Sequence, residues 1–516
     1  ASIEEAARLA MTQFEAGRLA EAETICLRIL EQVPEHPEAL HVCGAIAHLS
    51  GKHGLALALL EKAARLLPID PQVQYNWGVV LAAIGQTHAA RLRYRAALAL
   101  APGHSNALRN LGNLAFEESA YAEAARCYAQ ALVVRPDHAM LHLSLAMSLV
   151  ALRELDAARD HYERALAQSP EDPLVRWESS LYYLLVGEFA RGWFSYEARF
   201  AAGDVCKVWH YPFAYARWKG ESLAGKHLLI HGEQGFGDEI MFLSLVPELL
   251  TRGGRITLVG QPQLESLWRH VFPGCRVRAQ ARCGDAGWIQ RAPLWLDELA
   301  GDPPDYQIPF GSLAALLRPN RAAFDLQKPY ITIDAARQAR WEHWLVERLS
   351  SRLQRDALPR RRVGLAWAGA PGVANAVAAR KDAQRSIGVA SLMQIAAYDG
   401  VDWIGLHTRA PAEHQQEIDL RILDCTARLT DFAETAALIA NLDLVVTVDT
   451  AVAHLAGAMG KPVWILLPFA GEWRWGLDEG RTPWWPTARL FRQDRPGHWD
   501  RPIARVMAAL AAPEAA

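Results

Sequence analysis

A carboxylate in the first turn of a helix that opens from a glycine-rich turn is well placed to take a proton. The sequence offers one at Asp238, within HGEQGFGDEIMF at residues 231–242. This stretch follows the apolar run HLLI and precedes LSLVPELL, so it reads as a turn joining a strand to a helix. A phosphate-binding P-loop would need GxxxxGK and then Ser or Thr, and neither a lysine nor a hydroxyl follows Gly237. A dinucleotide fingerprint would need GxGxxG and an acid roughly 20 residues further on. After Gly235 and Gly237, however, position 240 is Ile and the next strand ends in LVGQPQ. What remains is close backbone approach at the two glycines, with Asp238 and Glu239 opening a helix at the carboxyl edge of a sheet. Two roles are open to Asp238: a catalytic group facing a crevice, or a cap that satisfies free amides and complements the helix dipole.

A second segment with chemistry is NLDLVVTVDTAVAHLAGAMGKPVWILL, residues 441–467, which reads as strand, tight turn, small-residue helix and strand. The amides of Ala451 and Val452 point outward with the positive end of the helix dipole, which makes the helix start an anion site. Thr450 can cap that helix or donate to a phosphate oxygen. Asp449 would repel phosphate, so an acid here is better suited to hydroxyls of a sugar or ribose. His454 lies one turn on from Thr450 and so on the same face; it contacts a ligand or packs between helix and sheet. Four tryptophans in EWRWGLDEGRTPWWP, at 473, 475, 484 and 485, suit either the packing of a closing loop or a platform for a sugar. Glu472 and Arg474 follow a strand end, but their spacing does not separate binding from solvation.

The elements that must hold these groups fall into two kinds. Up to about residue 200 the chain repeats every 34 residues: Pro34, Pro68, Pro102, Pro136 and Pro170 form one column, and Gly44, Gly78, Gly112, Ala146 and Ser180 a second. A third, Gly17, Gly51, Gly85, Ser119, Arg153 and Gly187, marks the turn between paired helices, and Ala63, Ala97, Ala131 and Ala165 a fourth. Small residues let the helices approach, and proline ends the second helix of each pair because it lacks the amide hydrogen. From about residue 225, KHLLIHG, RITLVG, PYITID, RRVGLAWAG, VDWIGLH, DLVVTVD and KPVWILL alternate with helical stretches, the pattern of buried parallel strands. The series breaks at 334–360 and restarts, which predicts two doubly wound domains with a cleft between them. The end, WDRPIARVMAALAA, reads as an amphipathic helix.

Composition narrows the partners. The 516 residues carry 54 Lys and Arg against 57 Asp and Glu, a net charge of −3, with no long basic run, which argues against nucleic acid. Seven cysteines without a CxxC pair argue against a zinc site or a disulfide framework. The start is charged and amphipathic, and no apolar run reaches the roughly 18 residues of a membrane helix. A cytoplasmic protein without membrane insertion is expected.

The 34-residue period resembles the tetratricopeptide repeat. With HGEQGFGDEIMF and DLVVTVDTAVAHLAGAMGKPVWILLPFAGEWRW after it, the chain resembles bacterial proteins whose second half is a GT-B glycosyltransferase. That half is similar to ADP-heptosyltransferases and, more distantly, to protein O-linked N-acetylglucosamine transferases. The resemblance implies a tetratricopeptide solenoid at 1–200 and two Rossmann-like domains in GT-B arrangement. These are an acceptor-side domain at 201–333 and a donor-side domain at 361–516 ending in the crossover helix, joined by a linker helix at 334–360. It implies Asp238 as general base, with Glu233, Gln234, Gly235 and Gly237 on the acceptor side. Asp449, Thr450, Ala451, Val452 and His454 would hold the donor. One of Arg380, Lys381 and Arg385 would meet its phosphate within WAGAPGVANAVAARKDAQRSIG. Met241 stands where relatives often carry Gln. Asn76 and Asn110 share one repeat position; they hydrogen-bond an extended acceptor chain or are polar filler on a helix face.

The expected activity is inverting, metal-independent transfer of a sugar from a nucleotide-sugar co-substrate to a protein held on the concave face of the repeats, with flagellin one such acceptor. No cofactor is expected. Without a DxD-type acid pair, a helix start and basic side chains must meet the diphosphate charge. The alternatives are a non-catalytic scaffold with a degenerate transferase module, and a transferase acting on lipopolysaccharide or another glycan.

Overall fold

The computed structural model describes residues 2–203, 206, 208, 213–280, 295–353, 360–369, 382–406, 421–478 and 480–512. The chain divides into two compact units, Ala1–Pro170 and Glu171–Ala516.

The first unit is a run of helical hairpins: Ile3–Glu15 with Leu19–Gln32, Pro37–Leu49 with His53–Leu66, Pro71–Ala83 with Thr87–Leu100, Ser105–Glu117 with Tyr121–Val134, and Ala139–Ala151 with Leu155–Gln168. Each column of the period has a physical counterpart. Gly17, Gly51 and Gly85 adopt positive φ just after the first helix of a pair, and Ser119 and Arg153 do the same without being glycine. The amide following each of them reaches back to a helix carbonyl, as in Arg18 N to Gln13 O and Lys52 N to Ala47 O, which closes the helix end. The second column keeps space for the partner helix: a Cβ on Gly44 would lie 2.7 Å from Leu60, and one on Gly78 2.7 Å from Tyr94. Before each hairpin one side chain accepts from the helix start: Asp70 from Gln72 and Val73, and the Nδ1 of His36, His104 and His138 from the amide three residues on.

The second unit opens with one more hairpin, Pro173–Leu185 and Phe189–Tyr196. Thus the sixth pair of the 34-residue period, expected in the solenoid, groups with the sheets. Trp193 Nε1 donates to the Arg318 carbonyl at 2.9 Å, and Phe189 packs on Phe324.

Two all-parallel sheets follow. The first contains β1 (Ala216–Arg217), β2 (His227–His231), β3 (Arg255–Gly260), β4 (Arg276–Ala279) and β5 (Tyr306–Pro309) in the order β1-β5-β2-β3-β4. The second contains β6 (Arg361–Ala366), β7 (Val401–Gly405), β8 (Ile422–Leu423), β9 (Leu444–Val448), β10 (Val463–Leu467) and β11 (Ala488–Arg492) in the order β11-β10-β9-β6-β7-β8. In each sheet the order reverses direction once, beside β2 in the first and between β6 and β9 in the second. The carboxyl ends of strands at such a reversal diverge into a crevice. HGEQGFGDEIMF leaves β2 and Asp449–Thr450 leaves β9, so both sequence-singled segments lie at reversals.

Two expectations are corrected. PYITID is not a strand: the amides of Tyr330 and Ile331 both donate to the Ala458 carbonyl, and the Tyr330 ring stacks on Trp268 and Phe272. The terminal helix Asp500–Ala511 does not cross back, because Ile503, Val506 and Leu510 are buried in the core of the second sheet with Val446, Leu466 and Phe491. The stretch expected as a linker helix contains the helix Ala335–Leu353, which packs on the second sheet's domain: Trp341 Nε1 donates to Glu434 at 2.8 Å, and Asn441 donates to the Gln338 carbonyl. Among the described residues no helix is long and apolar enough to cross a membrane.

Candidate active site

The two reversals meet through a pair of helix starts. Phe236–Leu243 begins at Gly235 after β2, and Ala451–Ala458 begins at Thr450 after β9. A Cβ on Gly237 would lie 2.9 Å from His454 Cδ2 and 3.6 Å from Ala451 Cα. Glycine at 237 is therefore what lets the helices approach.

Asp238 ties down its own helix start and pairs with Arg474. Its Oδ2 accepts from the Gly235 amide at 3.3 Å, which ties down the helix start, while its Oδ1 accepts from Arg474 Nε at 2.7 Å and Nη2 at 2.5 Å. The side chain keeps 17% of its surface exposed and Arg474 keeps 21%. Arg474 also binds Glu472 through Nη1, its backbone amide donates to Glu472 Oε2 at 2.8 Å, and its guanidinium lies over the Trp473 ring. Burial pushes the Glu472 carboxyl up to about 7 against the pull of Arg474, and the charges of Asp449 and Asp238 add to the rise. Two carboxylates thus hold one guanidinium, and the charge of Asp449 bears on it as well. Among the described residues, no group of three or more His, Cys, Asp or Glu is placed to hold a metal ion.

The start of the second helix carries no side-chain cap. Thr450 occupies the cap position, but its hydroxyl bonds Thr447 Oγ1 at 3.1 Å instead of a helix amide, which corrects the capping expectation. Asp449, Ala451 and Val452 are half-buried beside it. His454 is 3% exposed. Its Nδ1 accepts from Trp485 Nε1 at 3.1 Å and its ring stacks on Trp475, so the neutral form carries its proton on Nε2. Burial, with the charge of Arg474, lowers it to about 3. The packing role of His454 is the one its surroundings support. Trp473, Trp475, Trp484 and Trp485 are all buried, which answers for the packing of a loop and sets aside an open sugar platform.

Two residues expected on the acceptor side are held by the preceding helical hairpin. Glu233 is buried against Arg199, with Nη2 at 2.9 Å from Oε1 and 3.0 Å from Oε2, and it accepts from the Gly311 amide. Burial works against the Arg199 charge, and Glu233 and Glu197 beside it more than offset that. Burial pushes the Glu233 carboxyl up against the pull of Arg199, and the bidentate pair anchors the turn to the preceding helical hairpin. Gln234 exchanges hydrogen bonds with the Tyr196 hydroxyl at 2.8 and 3.1 Å. Met241 is fully buried and Glu239 binds Trp268 Nε1 and the Gln261 amide, so neither is available to a ligand.

Arg385 pairs with Asp382 through Nε at 2.9 Å and Nη2 at 2.8 Å, beside Gly369, where no Cβ would fit. Arg380 and Lys381 lie outside the described residues. In the first unit, Asn76 Nδ2 meets His41 Nε2 at 2.7 Å, and Asn110 Nδ2 lies 3.4 Å from the Tyr94 hydroxyl. Both amides are thus engaged within the helices. The residues the sequence left undecided or missed are Glu472, Arg474, Tyr196 and Arg199. The signal for the last two was the run WFSYEARF, whose charges suit a solvated helix poorly among so many aromatic side chains.

One pH effect follows. Folded Glu472 keeps up to about pH 7 a proton that the unfolded chain releases near 4.5. A raised carboxyl contributes stability below pH 4.5 and loses it as pH climbs to 7. Stability should therefore fall across that window by at most about 1.4 kcal/mol per pH unit from this group. Glu472→Gln should flatten the fall. Denaturation midpoints of both chains between pH 5 and 8 test this, and parallel slopes would contradict it. His454 acts in the opposite sense, losing stability as pH falls from 6.5 towards 3, and cancels in the comparison.

The comparisons with known proteins match both halves. The tetratricopeptide repeat family model matches residues 7–72, 75–125 and 119–173. The model of glycosyltransferase family 9 (heptosyltransferase) matches residues 411–467, a span that includes Asp449 to His454 and not Asp238. Protein FlbA of Caulobacter vibrioides is 27% identical over 518 residues, covering 97% of this chain and 83% of FlbA. Protein O-mannosyl-transferase TMTC1 of Mus musculus is 32% identical over 159 residues, covering 30% of this chain and 17% of TMTC1. Among solved structures, pilF of Pseudomonas aeruginosa is 19% identical with a TM-score of 0.33, covering 39% of this chain and 86% of that one.

Proposed function

From the premise that the chain joins tetratricopeptide repeats to a glycosyltransferase family 9 match, we propose that it is a glycosyltransferase of GT-B type. It moves a sugar, with inversion and without a metal ion, from a nucleotide donor to a protein recruited by the repeats. The observation that carries this reading is the meeting of two helix starts at Gly237, with Asp238 on one side and the uncapped amides after Asp449 on the other. The acceptor oxygen attacks the anomeric carbon as the bond from that carbon to the diphosphate breaks. Asp238 takes the hydroxyl proton, and the departing negative charge is met by the helix start. Asp449 binds sugar or ribose hydroxyls. Flagellin is one acceptor consistent with the resemblance of the sequence. A non-catalytic scaffold is favoured by one observation, the engagement of both Asp238 oxygens by Gly235 and Arg474.

Asp449→Ala separates the donor role from packing. It should weaken binding of the intact nucleotide sugar by roughly tenfold or more, the value of one or two hydrogen bonds to a charged group. Binding of the free nucleoside diphosphate should change much less. Equal losses for both ligands in calorimetric titration would contradict a contact to the transferred sugar.

A further inference from the structure

Two guanidinium N–H groups occupy Oδ1 of Asp238 and the Gly235 amide faces Oδ2, which leaves the carboxylate one lone-pair site with which to meet an acceptor hydroxyl. Resting on the transferase reading above, we propose that Arg474 is a ligand of the donor diphosphate, and that it leaves Asp238 for the phosphates when the donor binds. The departure of Arg474 frees Oδ1, so base activation is coupled to an occupied donor site.

Several features carry this. Arg474 is held by Asp238 and Glu472 and feels the charge of Asp449, and a dianionic donor entering among these acids needs a positive partner. A guanidinium presents five donors in a rigid fork, so it can turn from a carboxylate to a phosphate without losing hydrogen-bond quality. Its backbone is held in place, the carbonyl accepting from Thr482 Oγ1 at 2.8 Å and the amide donating to Glu472, so an exchange of partners by the guanidinium, which lies over the flat face of Trp473, requires only side-chain rotation. The distance to travel is short. Gly237, the neighbour of Asp238 in the chain, lies against Ala451, the first residue of the uncapped helix. Protonation of Glu472, whose carboxyl is pushed up to about 7, relieves further repulsion of the phosphates.

The exchange predicts opposite effects from removing either partner. UDP, GDP, ADP and CDP, each with its nucleoside, are titrated into the whole chain and into Arg474→Gln and Asp238→Asn variants whose folding is checked by circular dichroism. For the diphosphate that binds the unaltered chain, Arg474→Gln should weaken affinity roughly ten- to hundredfold while leaving the nucleoside unaffected. Asp238→Asn should tighten diphosphate binding several-fold, because Arg474 no longer has an ionic partner to leave. Arg474→Lys should restore part of the affinity, since a point charge replaces the fork. Unchanged diphosphate affinity in Arg474→Gln, an equal loss for nucleoside, or weaker binding in Asp238→Asn would each overturn the exchange. Failure of the transferase reading looks different: no diphosphate would bind the unaltered chain.

Discussion

Asp238→Asn is expected to cut turnover by roughly two to four orders of magnitude, the cost of losing a positioned general base. Donor binding should be no weaker than in the unaltered chain. The amide keeps the shape of the side chain and its oxygen can still accept from the Gly235 amide, so the helix start that approaches Ala451 should remain where it is. What changes is the ability to hold a proton. The same substitution removes the charge that pairs with Arg474, so the loss should appear in kcat and not as a raised donor KM. Near-normal transfer would remove Asp238 from the mechanism and leave the acids around Arg474 without a catalytic assignment.

Arg199→Ala should have the largest effect on stability, about 3–5 kcal/mol, because it leaves the buried Glu233 carboxylate without its cation. Both side chains are essentially without exposed surface, and Arg199 also binds Ser312 and Glu197. The consequence reaches the site through a short path. Glu233 opens the turn that runs through Gln234 and Gly235 to Asp238, and Tyr196, three residues before Arg199, holds Gln234. Replacing the pair together, as Arg199→Met with Glu233→Leu, should recover a large part of the stability, because the desolvation of both ions is removed at once. Denaturant unfolding followed by tryptophan fluorescence measures both. A loss below about 1 kcal/mol in the single variant would contradict a buried ionic anchor.

The legible parts of the sequence were those where local chemistry repeats or where one residue type has a single use. The column of Gly17, Gly51 and Gly85 marked positive φ, and it located the same backbone state at Ser119 and Arg153, where the residues themselves give no hint. Continuous apolar runs located β2, β3, β6, β7, β9 and β10 because strands buried on both faces need no alternation. Short edge strands such as β1 and β8, two residues each, carry too little pattern to be seen. PYITID looked like a strand because Tyr330 and Ile331 are apolar and β-prone, yet their amides serve a helix end more than a hundred residues away. The same limit governs the site. Asp238 and Asp449 were legible from their turns, whereas the partner of Asp238 sits 236 positions away at Arg474, and no spacing rule connects them. Glu233 looked like part of a ligand turn because the residue that buries it, Arg199, belongs to a helix that the repeat period assigned elsewhere.

The most direct test of a nucleotide-sugar transferase is calorimetric titration of the chain, shown to be folded by circular dichroism, with UDP-, GDP-, ADP- and CMP-sugars. One donor class should bind, and its heat of binding should be reduced by Asp449→Ala. Silence across the whole panel from a folded sample would contradict the transferase assignment and favour a scaffold.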